Sequence, residues 1–306
     1  LSYTLVLSRD WESTIARHRD RYHFAGIDPH DSDLPGELAG RIEKVGAGGT
    51  ATHGNLAATV LAHDASDAAG YLPLLFTLKH HADQQADLAS LADLAEPYAR
   101  PDSDDARFYA TPRLVDHLDT AAQAVWRDLT GRFVASGLSV LDLMASCDAH
   151  LPENVLPGEL VGLGMNTAEL DSNRRLTERL VHDLNAAPIL PFAAARFDVV
   201  LCALSIEYLE RPEAVLCEVR RVLKPGGTCV ISFSERWFPP KAVLPWPALS
   251  PFRRIAWTLR HLQRAGFTKL HSESLRGLPR PAEDKYYPQT RFADPLYAVW
   301  GHESLA

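Results

Sequence analysis

Basic residues are the minority charge in this sequence. Its 306 residues hold 31 Lys and Arg against 39 Asp and Glu, a formal net charge of −8. A generally basic surface for gripping phosphates is therefore missing, and a nucleic-acid partner is disfavoured. Cysteine is scarce: Cys147, Cys202, Cys217 and Cys229 make no CxxC pair and no zinc spacing. Cys202 and Cys229 lie inside apolar runs, which reads as reduced thiols packed as small hydrophobes in a cytoplasmic protein. No apolar run approaches the length of a membrane span and no basic-plus-apolar leader opens the chain, so no membrane partner is expected. The chain opens on Leu1 rather than Met, which leaves a removed leader open. No GxGxxG sits between a strand and a helix, so the fingerprint of a nicotinamide oxidoreductase is absent. His53, His63, His80 and His81 have no Cys or acidic residues at ligand spacing, so no metal is expected.

What is present is a chain that is 46% hydrophobic with six Trp, enough to bury a full core. Phe197 to Leu204 and Thr228 to Phe233 are short apolar runs without polar alternation, as in parallel strands covered on both faces. Between them Val215, Val219, Val222 and Leu223 recur at helical spacing. Pro212 and Glu213 suit the first turn of that helix, and Arg220, Arg221 and Lys224 suit its last. Gly226 or Gly227 can take the left-handed geometry that ends it. The pattern predicts a strand, helix, strand crossover.

The strings LPFAAARFDVVLCALSIEYL and EVRRVLKPGGTCVISFS resemble the second half of the core of class I S-adenosylmethionine (SAM) dependent methyltransferases, in their type 11 small-molecule branch. The resemblance spans residues 109–301 as a whole and is strongest over 140–238. It implies an α/β fold, a Rossmann-like, seven-stranded, mostly parallel sheet, with residues 107–306 as the core and SAM as cofactor. Ser139 to Leu143 is the expected first strand, with Asp142 at its end. Relatives carry Gly-x-Gly in the turn that follows, because the backbone must approach the cofactor without a Cβ. Here stand Met144, Ala145, Ser146 and Cys147. Glu159 to Asn166 matches the second strand, which relatives end with an acid that holds both ribose hydroxyls. Gly164 occupies that position, and Asn166 is the nearest polar substitute. The wordings LDLM and GLGMN mark a variant subgroup of these enzymes.

The resemblance further places Met165 against the adenine and Asp183, Leu184 and Asn185 at its edge. Ala203, Leu204 and Ser205 fall beneath the cofactor, and Tyr109 and Arg113 above it on a preceding helix. Glu207 and Tyr208 point to the acceptor side, where either can position a nucleophile or take its proton. A capping Glu and a packed Tyr are the plainer alternatives. Trp237, Phe238 and Trp246 are expected to wall an acceptor pocket, with Arg236 or Lys241 steering the acceptor.

Elsewhere the pattern is less specific. Tyr3 to Leu7 alternate like a strand, and the GAGG at 46–49 reads as a flexible turn. From Leu74 to Ala95 a helical stripe of Leu88, Leu91, Ala92 and Ala95 predicts a helix, giving residues 1–106 the look of a mainly helical N-terminal lobe. Such a lobe serves as a lid or as a dimer-forming element, so a homodimer is one expected state. Thr111 and Pro112 are expected to open a helix with an apolar stripe of Leu114, Leu118, Ala121, Val125 and Leu129.

Methyl transfer is an in-line displacement that depends on alignment and on a polar site in which charge can disperse. Beside the cofactor strings no His, Asp or Lys stands out as a base. A small-molecule acceptor that is already partly ionised, such as a thiol or sulfide, fits that absence. A catalytically silent SAM-fold scaffold is the competing expectation.

Overall fold

The computed structural model describes residues 2–8, 50–53, 56–60, 71–78, 96–244, 246–249, 251–276, 280–288 and 293–304. Its core is a seven-stranded sheet. The strands are β5 (Ser139–Leu143), β6 (Glu159–Gly164), β7 (Glu178–Val181), β8 (Phe197–Ala203), β9 (Leu223–Ser234), β10 (Thr268–Arg276) and β11 (Leu296–His302), in the order β7-β6-β5-β8-β9-β11-β10. Neighbours from β7 to β9 are parallel, whereas β11 runs antiparallel to both β9 and β10. This is a Rossmann-like, doubly wound arrangement.

The unbroken apolar runs are explained by burial on both faces. Leu141, Val200, Cys202, Ile231 and Phe233 face one core cluster, and their neighbours Val140, Val199, Leu201 and Val230 face the other. The first face is covered by α4 (Pro212–Val222) and α5 (Pro251–Arg264), through Val215, Val219, Val222, Ile255, Leu259 and Leu262. The second is covered by α2 (Thr120–Gly131), through Ala122, Trp126 and Leu129. At roughly 1.5–3 kcal/mol for each large apolar side chain, these two layers hold the sheet edge that carries the site. Helix α4 starts with Pro212 as expected, and Gly226 takes a φ of 80°. The turn it makes belongs to the start of β9, because the chain is already extended at Leu223.

Two expectations are corrected. The helix proposed from Thr111 begins at Thr120 instead. Asp119 caps it by accepting the N–H of Ala122 at 2.9 Å, and is held in turn by Arg280 at 3.3 Å. Leu114 and Val115 are exposed, so the apolar stripe starts only at Leu118. The second concerns the segment from Leu74; the described elements of residues 1–106 are α1 (Asp105–Tyr109) and four strands. The strands are β1 (Ser2–Ser8), β2 (Thr50–His53), β3 (Leu56–Val60) and β4 (Tyr71–Leu78). The predicted helix from Leu74 falls in β4 up to Leu78, where Pro73 and a dense apolar run favour an extended chain. Leu88, Leu91, Ala92, Ala95 and the GAGG turn lie outside the described residues. Strand β1 pairs in parallel with β10, and β4, β3 and β2 follow it antiparallel.

Residues 98–102 are laced into the core by backbone bonds from Tyr98 to Glu210, from Asp102 to Pro240 and from Leu244 to Ala99. Among the described residues no helix is long and apolar enough to cross a membrane.

Candidate active site

A cavity of about 280 Å³ opens at the carboxyl ends of β5, β6 and β8, where ligands of open parallel sheets bind. Its wall includes Asp142, Met144, Ala145, Ser146, Gly164, Met165, Asp183, Leu184, Asn185, Ala203, Leu204, Ser205 and Tyr208. Tyr109 and Arg113 close it from the segment before β5. The fold thus brings nearly every sequence-predicted site residue to one place.

Met144 and Leu204 immediately follow β5 and β8 and sit at φ 60° and 51°. Side chains avoid that left-handed region at a cost of about 1 kcal/mol or more. It is the conformation a glycine turn supplies freely, so the loop keeps the glycine geometry without the glycine. At Gly164 the reverse holds. An added Cβ would come closer than 3.0 Å to the carbonyl oxygen of Ala145, whose N–H donates to Leu163 O at 2.8 Å.

Asp142 is buried, and one carboxylate oxygen has no hydrogen-bond partner. Burial, helped by the charge of Asp148, pushes its pKa up to about 8. Asp148 itself is held well below the usual carboxylate range by its bond to His150, with Arg127 at 2.7 Å also lowering it. Asn185 lines the cavity and braces it, donating to Asp105 at 2.9 Å and to Tyr208 O at 3.0 Å. Asp183 accepts the N–H groups of Asn185 and Ala186, which fixes its turn.

Other sequence-predicted residues stand elsewhere. Asn166 does not line the cavity. Its oxygen caps α3 (Thr167–Ser172) at Glu169 N, and its amide nitrogen donates to Tyr109 O at 2.8 Å, so both ends are used. Glu207 is fully buried outside the cavity, with neither carboxylate oxygen partnered, and burial raises its pKa to about 8. Of the two candidate acceptor-side residues only Tyr208 reaches the cavity. Its hydroxyl accepts the N–H of Phe238 at 3.0 Å, its ring stacks on Phe238, and burial keeps the phenol protonated.

Arg236, Trp237 and Phe238 line the cavity as expected. Trp246 instead fills the core against Phe233 and Trp257, and Lys241 is fully buried 2.5 Å from Asp105.

Two residues escaped the sequence reading. Glu169 lines the cavity from the first turn of α3, and its one sequence signal, Asn166 three residues earlier, points to a capping box. The capping half holds, but the Glu169 carboxylate reaches Arg113 N–H and Ser146 O–H, both at 2.7 Å, instead of the cap's own N–H. His117 falls within the helix expected from Thr111; the irregular segment before α2 instead turns it into the cavity, edge-on to Phe238. Burial lowers its pKa below the ordinary 6.5, so it is neutral at pH 7 and can accept a proton.

An open sheet with a polar-ended cavity at the ends of its central strands is an α/β domain built for a nucleotide-like cofactor. Residues 146–231 match the family described as a methyltransferase domain. Relatives are the ubiquinone/menaquinone biosynthesis C-methyltransferases UbiE. That of Paraburkholderia xenovorans is 35% identical over 92 residues, or 29% of this chain and 37% of that protein. That of Burkholderia mallei is 41% identical over 110 residues, or 32% and 45%. The chain spans less than half the length of each of these relatives. Among solved structures, a SAM-dependent methyltransferase from Mesorhizobium loti is 19% identical at a TM-score of 0.40, covering 58% of this chain and 97% of that one.

The residues present fit SAM. Small groups at Ala145, Gly164 and Ala203 leave room for it, and the unpartnered oxygen of Asp142 is an acceptor that a ligand ammonium would satisfy.

Proposed function

We propose that this chain transfers a methyl group from SAM to a small-molecule acceptor. The observation that carries the reading is the buried Asp142 carboxylate, with one unpartnered oxygen, beside a turn with glycine geometry in a cavity at the carboxyl edge of the sheet. SAM supplies an electrophilic methyl on a sulfonium. Asp142 would hold the amino-acid end, the Met144 to Ser146 turn would let the backbone approach it, and Met165 and Leu184 would flank the base. Tyr208, Trp237 and Phe238 form an aromatic wall that excludes water and gives a planar or soft acceptor a surface. The proposed catalytic role passes from Glu207 to Tyr208, because only Tyr208 reaches the cavity.

The acceptor atom is a finer question. The sequence shows no evident base beside the cofactor strings, which favours a thiol or sulfide as one proposed acceptor class. Neutral His117 in the cavity favours a second, an acidic carbon or phenol that must lose its proton. The C-methyltransferase relatives are in line with it. Both are tested with purified protein and methyl-labelled SAM against a thiol, a phenol and an enolisable ring. His117→Gln is expected to leave thiol methylation within about threefold and to lower methylation of the other two tenfold or more. Micromolar binding of SAM and of S-adenosylhomocysteine is expected by calorimetry. No binding at millimolar ligand, in folded protein, would overturn the methyltransferase reading in favour of a scaffold.

A further inference from the structure

We propose that Glu169 is the carboxylate that receives the ribose hydroxyls of the cofactor, reaching them from helix α3 rather than from the end of β6. The assignment rests on the methyltransferase reading above. A cis-diol offers two neutral O–H donors, and a fixed carboxylate with free lone pairs is their natural partner.

The end of β6 cannot supply one, because any side chain at Gly164 runs into the backbone of Ala145. Loop and strand are matched: the backbone of Ala145 and a methyl of Leu170 occupy the space that a side chain at 164 would need. Ser146 anchors this arrangement twice, donating its hydroxyl to Glu169 and receiving the Asn173 amide on its carbonyl oxygen.

The other carboxylates of the cavity are engaged by neighbours, exposed or assigned elsewhere. Asp105 is held by Arg100, Lys241 and Asn185. Asp148 is held by Arg127 and His150. Asp183 turns one oxygen to two backbone N–H groups of its own turn. Asp116 is exposed, and Asp142, near the end of β5, is assigned above to the amino-acid end of the cofactor.

Glu169 differs from all of these. It is buried, it lines the cavity close in sequence to Gly164 and Met165, and each oxygen receives a single donor. Among the described residues it has no ion-pair partner. The Arg113 N–H and Ser146 O–H fix its orientation and leave a second lone pair on each oxygen. Two neutral donors would complete it without adding charge, which is what a diol provides and what a second cation would not.

The experiment is calorimetric titration with S-adenosylhomocysteine and with its 2′-deoxy and 3′-deoxy forms. Wild-type protein is expected to bind the deoxy forms at least tenfold more weakly. Glu169→Gln is expected to bind the full ligand at least tenfold more weakly while losing less than threefold on the deoxy forms. Ser146→Ala, which keeps the carboxylate, is expected to keep the discrimination. Should E169Q fail to fold by circular dichroism, the wild-type ratio decides: equal affinity for the hydroxylated and deoxy ligands overturns the assignment. Equal losses on all ligands in E169Q also overturn it, leaving Glu169 a structural brace. Wild-type protein that binds none of the ligands overturns the methyltransferase reading and this assignment with it.

Discussion

A Cβ at position 164 has nowhere to go. The carbonyl of Ala145 and a methyl of Leu170 close the space on the side to which it would point, and the first of these is backbone that is itself bonded to β6. Gly164→Ala is therefore expected to destabilise the fold by about 2 kcal/mol, within the usual range for overpacking. Its binding of S-adenosylhomocysteine should fall as the 144–146 turn is displaced. Urea unfolding and calorimetry on the same sample check both, and a variant as stable as wild type would mean that the turn yields freely. The sequence alone showed that glycine was missing where relatives have it and present where they have an acid. It did not show that these are one change, because the distance between residues 145 and 164 is set by the pairing of β5 with β6. Glu169 was illegible for a related reason: its spacing from Asn166 announces a cap, and only the placement of Arg113 and Ser146 draws its carboxylate away.

Helix α1 is only 5 residues long, too short to be stable by itself, yet it contributes Asp105 and Tyr109 to the cavity. What holds it is a buried ionic cluster. Asp105 is bonded by Arg100 at 2.8 and 3.0 Å and by Lys241 at 2.5 Å, and Lys241 has no exposed surface. Burial alone would raise the Asp105 pKa, but Arg100, Lys241 and Asn185 outweigh it and hold the carboxylate below its ordinary value. Lys241→Met should cost about 3 kcal/mol, because removing one partner leaves buried charge uncompensated. Adding Asp105→Asn should return less than half of that loss, since Arg100 then loses one of its two carboxylate partners and keeps only Glu210. A double-mutant cycle in urea checks this; simple additivity would remove the cluster as the anchor of α1. Elements were legible where one physical cause dominated. Strands β5, β8, β9 and α4 could be read because burial on both faces and a single apolar stripe leave unmistakable patterns. The start of α2 could not, since Thr111-Pro112 is as good a local start as Asp119, and the contact that decides, Arg280 on Asp119, comes from far along the chain.

At the scale of the molecule, buried carboxylates set the response to pH. Glu207 carries its pKa of about 8 against an ordinary 4.5, and Asp142 about 8 against 3.8, both chiefly through burial. A folded state that keeps protons the unfolded chain releases is favoured at low pH. The stability these two groups contribute is fully present below the ordinary carboxylate range and is lost as pH rises toward about 8. Asp105 and Asp148 act oppositely, since their depressed pKa values contribute stability that is lost as pH falls below the ordinary 3.8. The stability maximum is therefore expected on the acid side of neutrality, near pH 5. Glu207 lies outside the cavity, so its share can be removed without touching the site. Glu207→Gln replaces an acid that must stay protonated with a neutral amide of the same shape. At roughly 1.4 kcal/mol per pH unit, the variant should gain on wild type by a few kcal/mol between pH 4.5 and 8. That difference in slope is the quantity to measure, because any fixed cost of burying the amide cancels from it. Urea unfolding of both proteins at half-unit steps of pH gives it directly. Parallel curves would show that Glu207 is ionised in the folded protein and finds compensation that its two unpartnered oxygens do not reveal.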